Sequence, residues 1–599
     1  MVRLSMTPEN AFQFALDTSP ESGSGNLKDM FRAQLLELLK LLVPTRDGEE
    51  VLIDGFKILN DPNTVWPLYV TEDPDCSLSE PLDLYEPRIR YIRRTMEALL
   101  RVVDLETNGE PVSVDGFRLK DLKQWLAPGN ASDILAHAAG RCNLDCRFCY
   151  NKGASRVLNP VVRGPEDEYR EIRTRIEQYR PQAGLGVFPD MGSPAELLIH
   201  PRILDILTEL RQKTGETLRF STNGSTLTQE TIQNLAGYKP IYLDVSLNSS
   251  SPERRAWLMR DPCPRTAIDS LAILREAGIP YAVVIVPWPE PDIETMLEDL
   301  EQTIPFAADF DPGLIQISLP GYSRGLSEDT LFSHGRVWDD IKKKALSLRA
   351  GTDVPVVLRP GLFEEYTDPG QVNAPVLIGT IKNSPLARAG IRAGDRLLRV
   401  NGLKVMSRPQ ARSLLTVLHD SDLKSSSITV EREGGRIERK TDLTDFGYPY
   451  TRETATHLGA AFASSGVPSE WLERLRDTVL SRKAEEALLL TSSLVKPTLE
   501  SLMAGHGFRT NGRLHIRIPR NSYFGGNISM GDLLVVQDFI EAIEEFIEQE
   551  HIRPDLVIIP SSPFHLSGWG RDLTGRVYLD IERRTGCPVA LVECDPIFD

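Results

Sequence analysis

The stretch Arg141-Cys142-Asn143-Leu144-Asp145-Cys146-Arg147-Phe148-Cys149-Tyr150 constrains this chain more than any other. Three of the seven cysteines fall within eight residues, spaced C-x3-C-x2-C, and of the other four only Cys587 and Cys594 lie near one another. Thiolates hold iron–sulfur cubanes, normally one per iron. Three thiolates leave one iron without a protein ligand, and an open coordination position is where a metal centre does chemistry rather than structure. A structural zinc site wants four closed ligands, usually paired as C-x2-C knuckles. Here no second knuckle and no H-x3-5-H follows, and His137, the nearest imidazole, sits in an apolar run. A chance cluster of free thiols is the other plain reading. A disulfide framework leaves one cysteine over, and nothing indicates secretion.

The spacing, with aromatic Phe148 just before the last cysteine, resembles the radical S-adenosylmethionine (radical SAM) enzymes. The resemblance implies a [4Fe–4S] cluster on Cys142, Cys146 and Cys149. Its open iron would chelate S-adenosylmethionine through amino and carboxylate groups. One electron then cleaves the sulfonium to methionine and a 5′-deoxyadenosyl radical, which abstracts hydrogen from a substrate. An external low-potential donor, flavodoxin or ferredoxin, is expected.

At 599 residues the chain is long enough for several domains. A formal net charge of −17 lacks the basic balance of a general nucleic-acid or anionic-membrane binder. No apolar run approaches the roughly 20 residues that span a bilayer, and the start lacks a signal-peptide core. A cytoplasmic location is expected, and it suits reduced thiolates.

Residues 1–130 read as an N-terminal extension, mainly helical, with apolar spacing over Met30–Leu42 and Pro87–Val103. Cys76 lies in an acidic, Pro-rich loop, and no function attaches to this region. From residue 131 to 330, strand and helix patterns alternate. Candidate strands are Ile134–Ala139, Leu185–Phe188, Thr217–Ser221, Ile241–Ser246, Pro280–Val286 and Leu314–Leu319, with a helix at Asp167–Arg180. Alternation implies a parallel sheet with right-handed crossovers. Six units match the (β/α)6 partial TIM barrel that the resemblance implies.

Chemistry in such barrels collects at the C-terminal strand ends. The resemblance assigns Glu196, in Gly192-Ser193-Pro194-Ala195-Glu196, to the methionine ammonium, although Pro194-Ala195 stands where the family has glycine. A carboxylate facing an ammonium is a charge-assisted pair. A helix-start glutamate is the plain alternative. Thr222-Asn223-Gly224 matches a turn near the cofactor, and Ser246 and Asn248 match polar residues near the ribose. Arg254, Arg255 and Arg260 are candidates for the cofactor carboxylate, and the resemblance places Arg260 and Phe148 among the cofactor-binding residues. Tyr322 and Arg324 fall at the barrel mouth. No residue is assigned as the catalytic group acting on substrate.

Residues 331–371 read as a linker. Over 372–443, Ser384-Pro385-Leu386-Ala387-Arg388-Ala389-Gly390 and Gly394-Asp395 with Asn401-Gly402 resemble a bacterial PDZ domain. PDZ domains take an extended peptide onto a sheet edge, here near Val376–Gly379. A spacer or lid role is the alternative. Residues 450–599 resemble DUF512, a domain found with PDZ and radical SAM-like sequence in Fe–S oxidoreductase-like proteins, and an α/β fold is expected. Glycines 525 and 526 beside an aromatic suggest close backbone approach, and Asn521, Asp538 and Asp580 are the polar residues to test.

The reading is α/β: a radical SAM partial barrel, a β-rich PDZ-like domain and an α/β C-terminal domain. The function expected is reductive cleavage of S-adenosylmethionine to start radical chemistry on a small metabolite. Radical modification of a peptide or protein bound through the PDZ module and a non-catalytic Fe–S scaffold or redox sensor are the alternatives, with a peptide C-terminus at the PDZ domain as a candidate partner.

Overall fold

The computed structural model describes residues 131–592 and 594, apart from 137–139, 154–163, 180–194, 420, 422, 447–455, 506–507, 565–571 and 575, plus short strands before residue 131. Those strands are Leu52–Ile53, Phe56–Leu59 and Leu68–Thr71 in one sheet and the hairpin Asp104–Thr107/Glu110–Ser113. The two helices expected in the extension, and Cys76, lie outside the described residues.

Five strands form one parallel sheet in sequence order: Leu218–Thr222, Ile241–Ser246, Tyr281–Ile285, Leu314–Ser318 and Val356–Arg359. Helices Gln229–Ala236, Pro264–Ala277, Ile293–Ala308 and His334–Arg349 make the crossovers. The apolar runs of these strands are buried on both faces, as parallel sheets require. Leu243, Val245, Val283, Ile285, Ile315 and Ile317 pack outward into a core with helix residues Leu271, Leu274, Leu300, Ile304 and Ile341. Tyr242, Ala282, Leu314 and Val357 lie in a separate apolar cluster on the other face.

Two expectations need correcting, and a third falls outside the described residues. Residues expected as the first strand, Ile134–Ala139, begin inside a helix, Ala131–Ala136. Ala131, Ile134 and Leu135 are buried at helical spacing, and a short alanine-rich apolar run does not separate strand from helix by pattern. Leu185–Phe188 lies outside the described residues, among which five parallel strands are seen. Residues 331–371, expected as a linker, supply a crossover helix and the edge strand Val356–Arg359. The other four strands and the helix at Pro165–Gln178 fall where the pattern put them.

The next module is built on the antiparallel strands Arg396–Val400, Leu403–Lys404, Ser425–Arg432 and Gly435–Asp442, with helices Pro385–Arg388 and Arg408–His419. Ser384 caps the first helix through Ala387 N–H. Its core is completed from beyond residue 443. Ala460–Phe462 pairs antiparallel with Leu377–Thr380, and Leu458, Ala460 and Phe462 are buried in that core. The edge expected for a peptide, Val376–Gly379, is therefore covered on one side by Ala460–Phe462. On the other, Leu377 N donates to Asp395 O at 2.9 Å and Gly394 N to Leu377 O at 2.8 Å.

The C-terminal domain carries a four-stranded parallel sheet in the order Arg513–Arg517, Glu486–Leu490, Leu556–Pro560, Val589–Val592. Helices Ser469–Ser481, Lys496–Gly505, Val536–Glu550 and Leu579–Thr585 alternate with these strands. The α/β expectation holds here.

Candidate active site

Backbone hydrogen bonds fix the cysteine loop before any ligand is considered. Arg147 N donates to Leu258 O at 2.9 Å, and Arg147 Nε to Trp257 O at 3.2 Å. Cys149 N and Lys152 Nζ both donate to Cys146 O, at 3.4 and 3.1 Å. Asp145 is ion-paired to Lys152 and to Arg260, which places Arg260 on the loop's outer side. Phe148 packs 6.3 Å from Trp288, within an apolar wall that includes Leu144, Leu258, Met259 and Tyr322.

The cysteine loop meets the strand ends through Asn223. Its Nδ2 donates to Asn143 Oδ1 at 2.8 Å and lies 3.6 Å from Cys142 Sγ, which also receives Leu144 N–H at 3.5 Å. One residue earlier, Thr222 Oγ1 donates to Glu196 Oε1 at 2.8 Å, while Asn223 N donates to Glu196 Oε2 at 2.6 Å. Glu196 is 2 % exposed, and burial pushes its carboxyl up against the pull of these donors. Its backbone N–H reaches Arg141 O at 2.9 Å. Cys142, Glu196 and Asn223 thus form one connected patch.

Ser246 and Asn248 sit at the neighbouring strand end, but Asn248 is structural. It is 1 % exposed, with Oδ1 accepting Val286 N–H at 2.8 Å and Nδ2 facing Met259 Sδ at 3.1 Å. Ser246 is half-buried, and its carbonyl takes Arg255 Nη1 at 2.7 Å. Arg254 is likewise engaged, giving Nη2 to Trp288 O at 2.8 Å.

Sequence reasoning missed the role of Arg255. Its side chain is wholly buried against Asp261, 2.9 Å away, and also bonds Leu247 O and Asn223 O. It ties together the two strand ends that carry Asn223 and Ser246. A Ser-Pro-Glu-Arg-Arg helix start marks an arginine there, but nothing in sequence says which of the pair turns inward.

The mouth is covered by the C-terminal domain. Tyr322 N donates to Asn527 Oδ1 at 2.8 Å, Asn527 N to Tyr322 O at 3.0 Å, and Arg324 N to Phe524 O at 2.7 Å. The expected close approach at the glycines is real: a Cβ on Gly526 would sit 2.1 Å from Tyr322 O, and one on Gly525 2.9 Å from Arg324 Cβ. Ser323 Oγ in turn donates to Gly153 O at 2.7 Å, just after the cysteine loop. Asn521 and Asp538 hold this lid's own turn, through Leu533 O and Phe524 N and through Ser522 N and Val535 N respectively. Asp580 pairs with Arg576 and Arg583 away from it.

Among the described residues, no three His, Cys, Asp or Glu side chains converge as ligands of a single ion. Cubane thiolates each take a different iron and stand further apart than ligands of one zinc. The three thiols are nonetheless close enough to interact. Burial pushes Cys146 up to about 12, with Cys149 and Cys142 adding to it, and burial also raises Cys142. Thiols held neutral this way ionise when a cationic centre takes them. A half-open sulfur trio, amide donors toward one sulfur, an apolar wall and a buried carboxylate fit a cluster with a chelated amino acid.

Residues 138–302 match the radical SAM superfamily model. Residues 379–423 match the PDZ domain model. The chain carries a radical SAM domain and a PDZ domain. Radical SAM superfamily enzymes use a [4Fe–4S] cluster and S-adenosylmethionine. A 103-residue stretch is 28 % identical to the tungsten-containing aldehyde ferredoxin oxidoreductase cofactor-modifying protein of Pyrococcus furiosus. That match covers 17 % of this chain and 27 % of the relative, so the chain spans about a quarter of that relative's length. Solved structures of similar shape include Streptococcus suis SuiB bound to its precursor peptide SuiA (11 % identity, TM-score 0.29, 50 % of this chain and 69 % of that one). Another is an anSMEcpe chain with bound S-adenosylmethionine (10 %, TM-score 0.25, 37 % and 61 %). No helix among the described residues is long and apolar enough to cross a membrane.

Proposed function

We propose that this chain is an enzyme that reductively cleaves S-adenosylmethionine at a [4Fe–4S] cluster held by Cys142, Cys146 and Cys149, acting on a small metabolite beneath the C-terminal domain. The observation that carries the reading is the hydrogen-bonded patch joining Cys142, Asn223 and Glu196 at the strand ends. When bound, the cluster supplies one electron to the sulfonium. The rest is the work of the chain. Glu196 presents a buried carboxylate to an ammonium, where a charge-assisted bond is strong. Asn223 sets the sulfur of Cys142 with its amide. Phe148, Trp288 and Tyr322 set an apolar wall against the Cys146 side of the loop, and the Asn521–Asn527 turn packs on the mouth, where it helps shield a reactive intermediate.

Flavodoxin or ferredoxin is the donor class proposed, and the DUF512 likeness of the C-terminal domain is offered with it. A small substrate is favoured over a PDZ-held peptide because the edge expected at Val376–Gly379 is covered and the neighbouring strand Ala460–Phe462 lies against residues 357–361 of the barrel. The test is anaerobic reconstitution with S-adenosylmethionine and a chemical reductant. Release of 5′-deoxyadenosine supports the enzyme. An intact cluster that binds the cofactor and releases none favours a scaffold or redox sensor.

A further inference from the structure

PDZ modules work by strand addition at an open sheet edge, so the edges of the ribbon Leu377–Thr380/Ala460–Phe462 decide what this one can hold. The inner edge of Leu377–Thr380 is bonded to residues 394–397. The outer edge of Ala460–Phe462, beside helix Arg408–His419, is the one left for a peptide. Side chains along the ribbon alternate, as a strand dictates. Leu377, Ala460 and Phe462 enter the module's own core. Ile378 and Ala461 point the other way and pack on Tyr242, Ala282, Leu314 and Val357 of the parallel sheet. A Cβ on Gly379 would lie 2.9 Å from the Pro355 ring, so the two modules meet without a gap there.

The remaining groove is filled by the barrel's own chain. Between Val357–Gly361 on one side and Arg412, Ala461 and Phe462–Ser464 on the other there is a cavity of about 10 Å³. That is room for about one water molecule and none for a peptide strand. Ser465 N donates to Gly361 O at 2.6 Å, a backbone bond joining the two segments just beyond their strands. Two adjacent carboxylates then fasten the segment. Glu364 takes Arg408, the first residue of the groove helix, at 3.1 Å, with both side chains buried. Glu365 takes Arg349 of the last crossover helix, its second oxygen at 2.9 Å from Nη2. Arg408 also bonds Ser464 and Ala374 O.

We infer that the PDZ groove of this protein is a receptor for its own barrel, occupied by the segment Val357–Glu365 and so closed to partner C-termini. Through Ile378, Ala461 and Gly379 the module also packs on the inner face of the parallel sheet. The inference is independent of the iron–sulfur chemistry.

The test uses the full chain. Fluorescence anisotropy with a labelled library of random C-terminal decapeptides should show no saturable binding up to about 1 mM. Hydrogen exchange should show amides of 356–361 and 461–465 opening together. Glu364→Gln should speed both sets on the order of tenfold, leaving the strand Glu486–Leu490 unchanged. A Gly361→Cys/Ser465→Cys disulfide lock should slow both and leave the peptide result as it was, keeping the test alive if Glu364→Gln fails to fold. Saturable peptide binding by the unmodified chain that the lock abolishes would overturn the inference. So would Glu364→Gln speeding 461–465 alone.

Discussion

Arg255 offers the sharpest check on how the strand ends are held. Its guanidinium and the Asp261 carboxylate are both fully buried, 2.9 Å apart, and its other donors go to the carbonyls of Asn223, Ser246 and Leu247. Arg255→Met keeps the stem but leaves Asp261 as a buried charge without its cation. Breaking one side of such a pair costs about 3–5 kcal/mol. At about 2–4 °C per kcal/mol for a domain of this size, the midpoint of thermal unfolding should fall by about 6–20 °C. Arg255→Met/Asp261→Leu removes both charges and should recover much of the loss, since a buried pair is often no better than an apolar one. Calorimetry of the two variants beside the parent measures this. A loss below about 1 kcal/mol for Arg255→Met, or no recovery in the double variant, would show that the pair does not hold the strand ends.

Gly526→Ala should loosen the lid. The residue has φ +63°, where a side chain costs about 1–2 kcal/mol, and its Cβ would collide with Tyr322 O. Proteolysis at the 521–527 turn should quicken while the barrel strands stay protected. Glu196 gives a pH signature. Its folded pKa is raised by burial, so its ionised form destabilises the fold above the unfolded pKa, and that cost is relieved as pH falls through the folded value. Affinity for S-adenosylmethionine should move the opposite way, falling as acid protonates Glu196. This should begin at higher pH than an exposed glutamate would give. Glu196→Gln should bind on the order of 30-fold more weakly at neutral pH and show little dependence on pH over that range in equilibrium dialysis.

Four of the five parallel strands were legible as short apolar runs bounded by turn residues, as in Ile241–Ser246 and Tyr281–Ile285. Ile134–Ala139 was not, because apolar content without length or β-branching fits helix equally well. The helix and edge strand of 331–371 escaped notice because Val356–Arg359 is four residues long and flanked by proline. At the site, spacing singled out Cys142, Glu196 and Asn223, and the fold brings them together. At Asn248 the sequence is ambiguous, since a polar residue after a strand fits a ligand contact or a strand-end tie equally well. Nor does sequence show a segment 80 residues downstream returning to pair with Leu377–Thr380, because long-range pairing leaves no local signal.

The central claim is that three thiolates hold one iron–sulfur cubane. Iron and acid-labile sulfide should be assayed on anaerobically reconstituted chain beside Cys142→Ala/Cys146→Ala/Cys149→Ala. The parent should carry about four of each per chain and the triple variant essentially none. Zinc in the parent, or iron unchanged in the variant, would contradict the account.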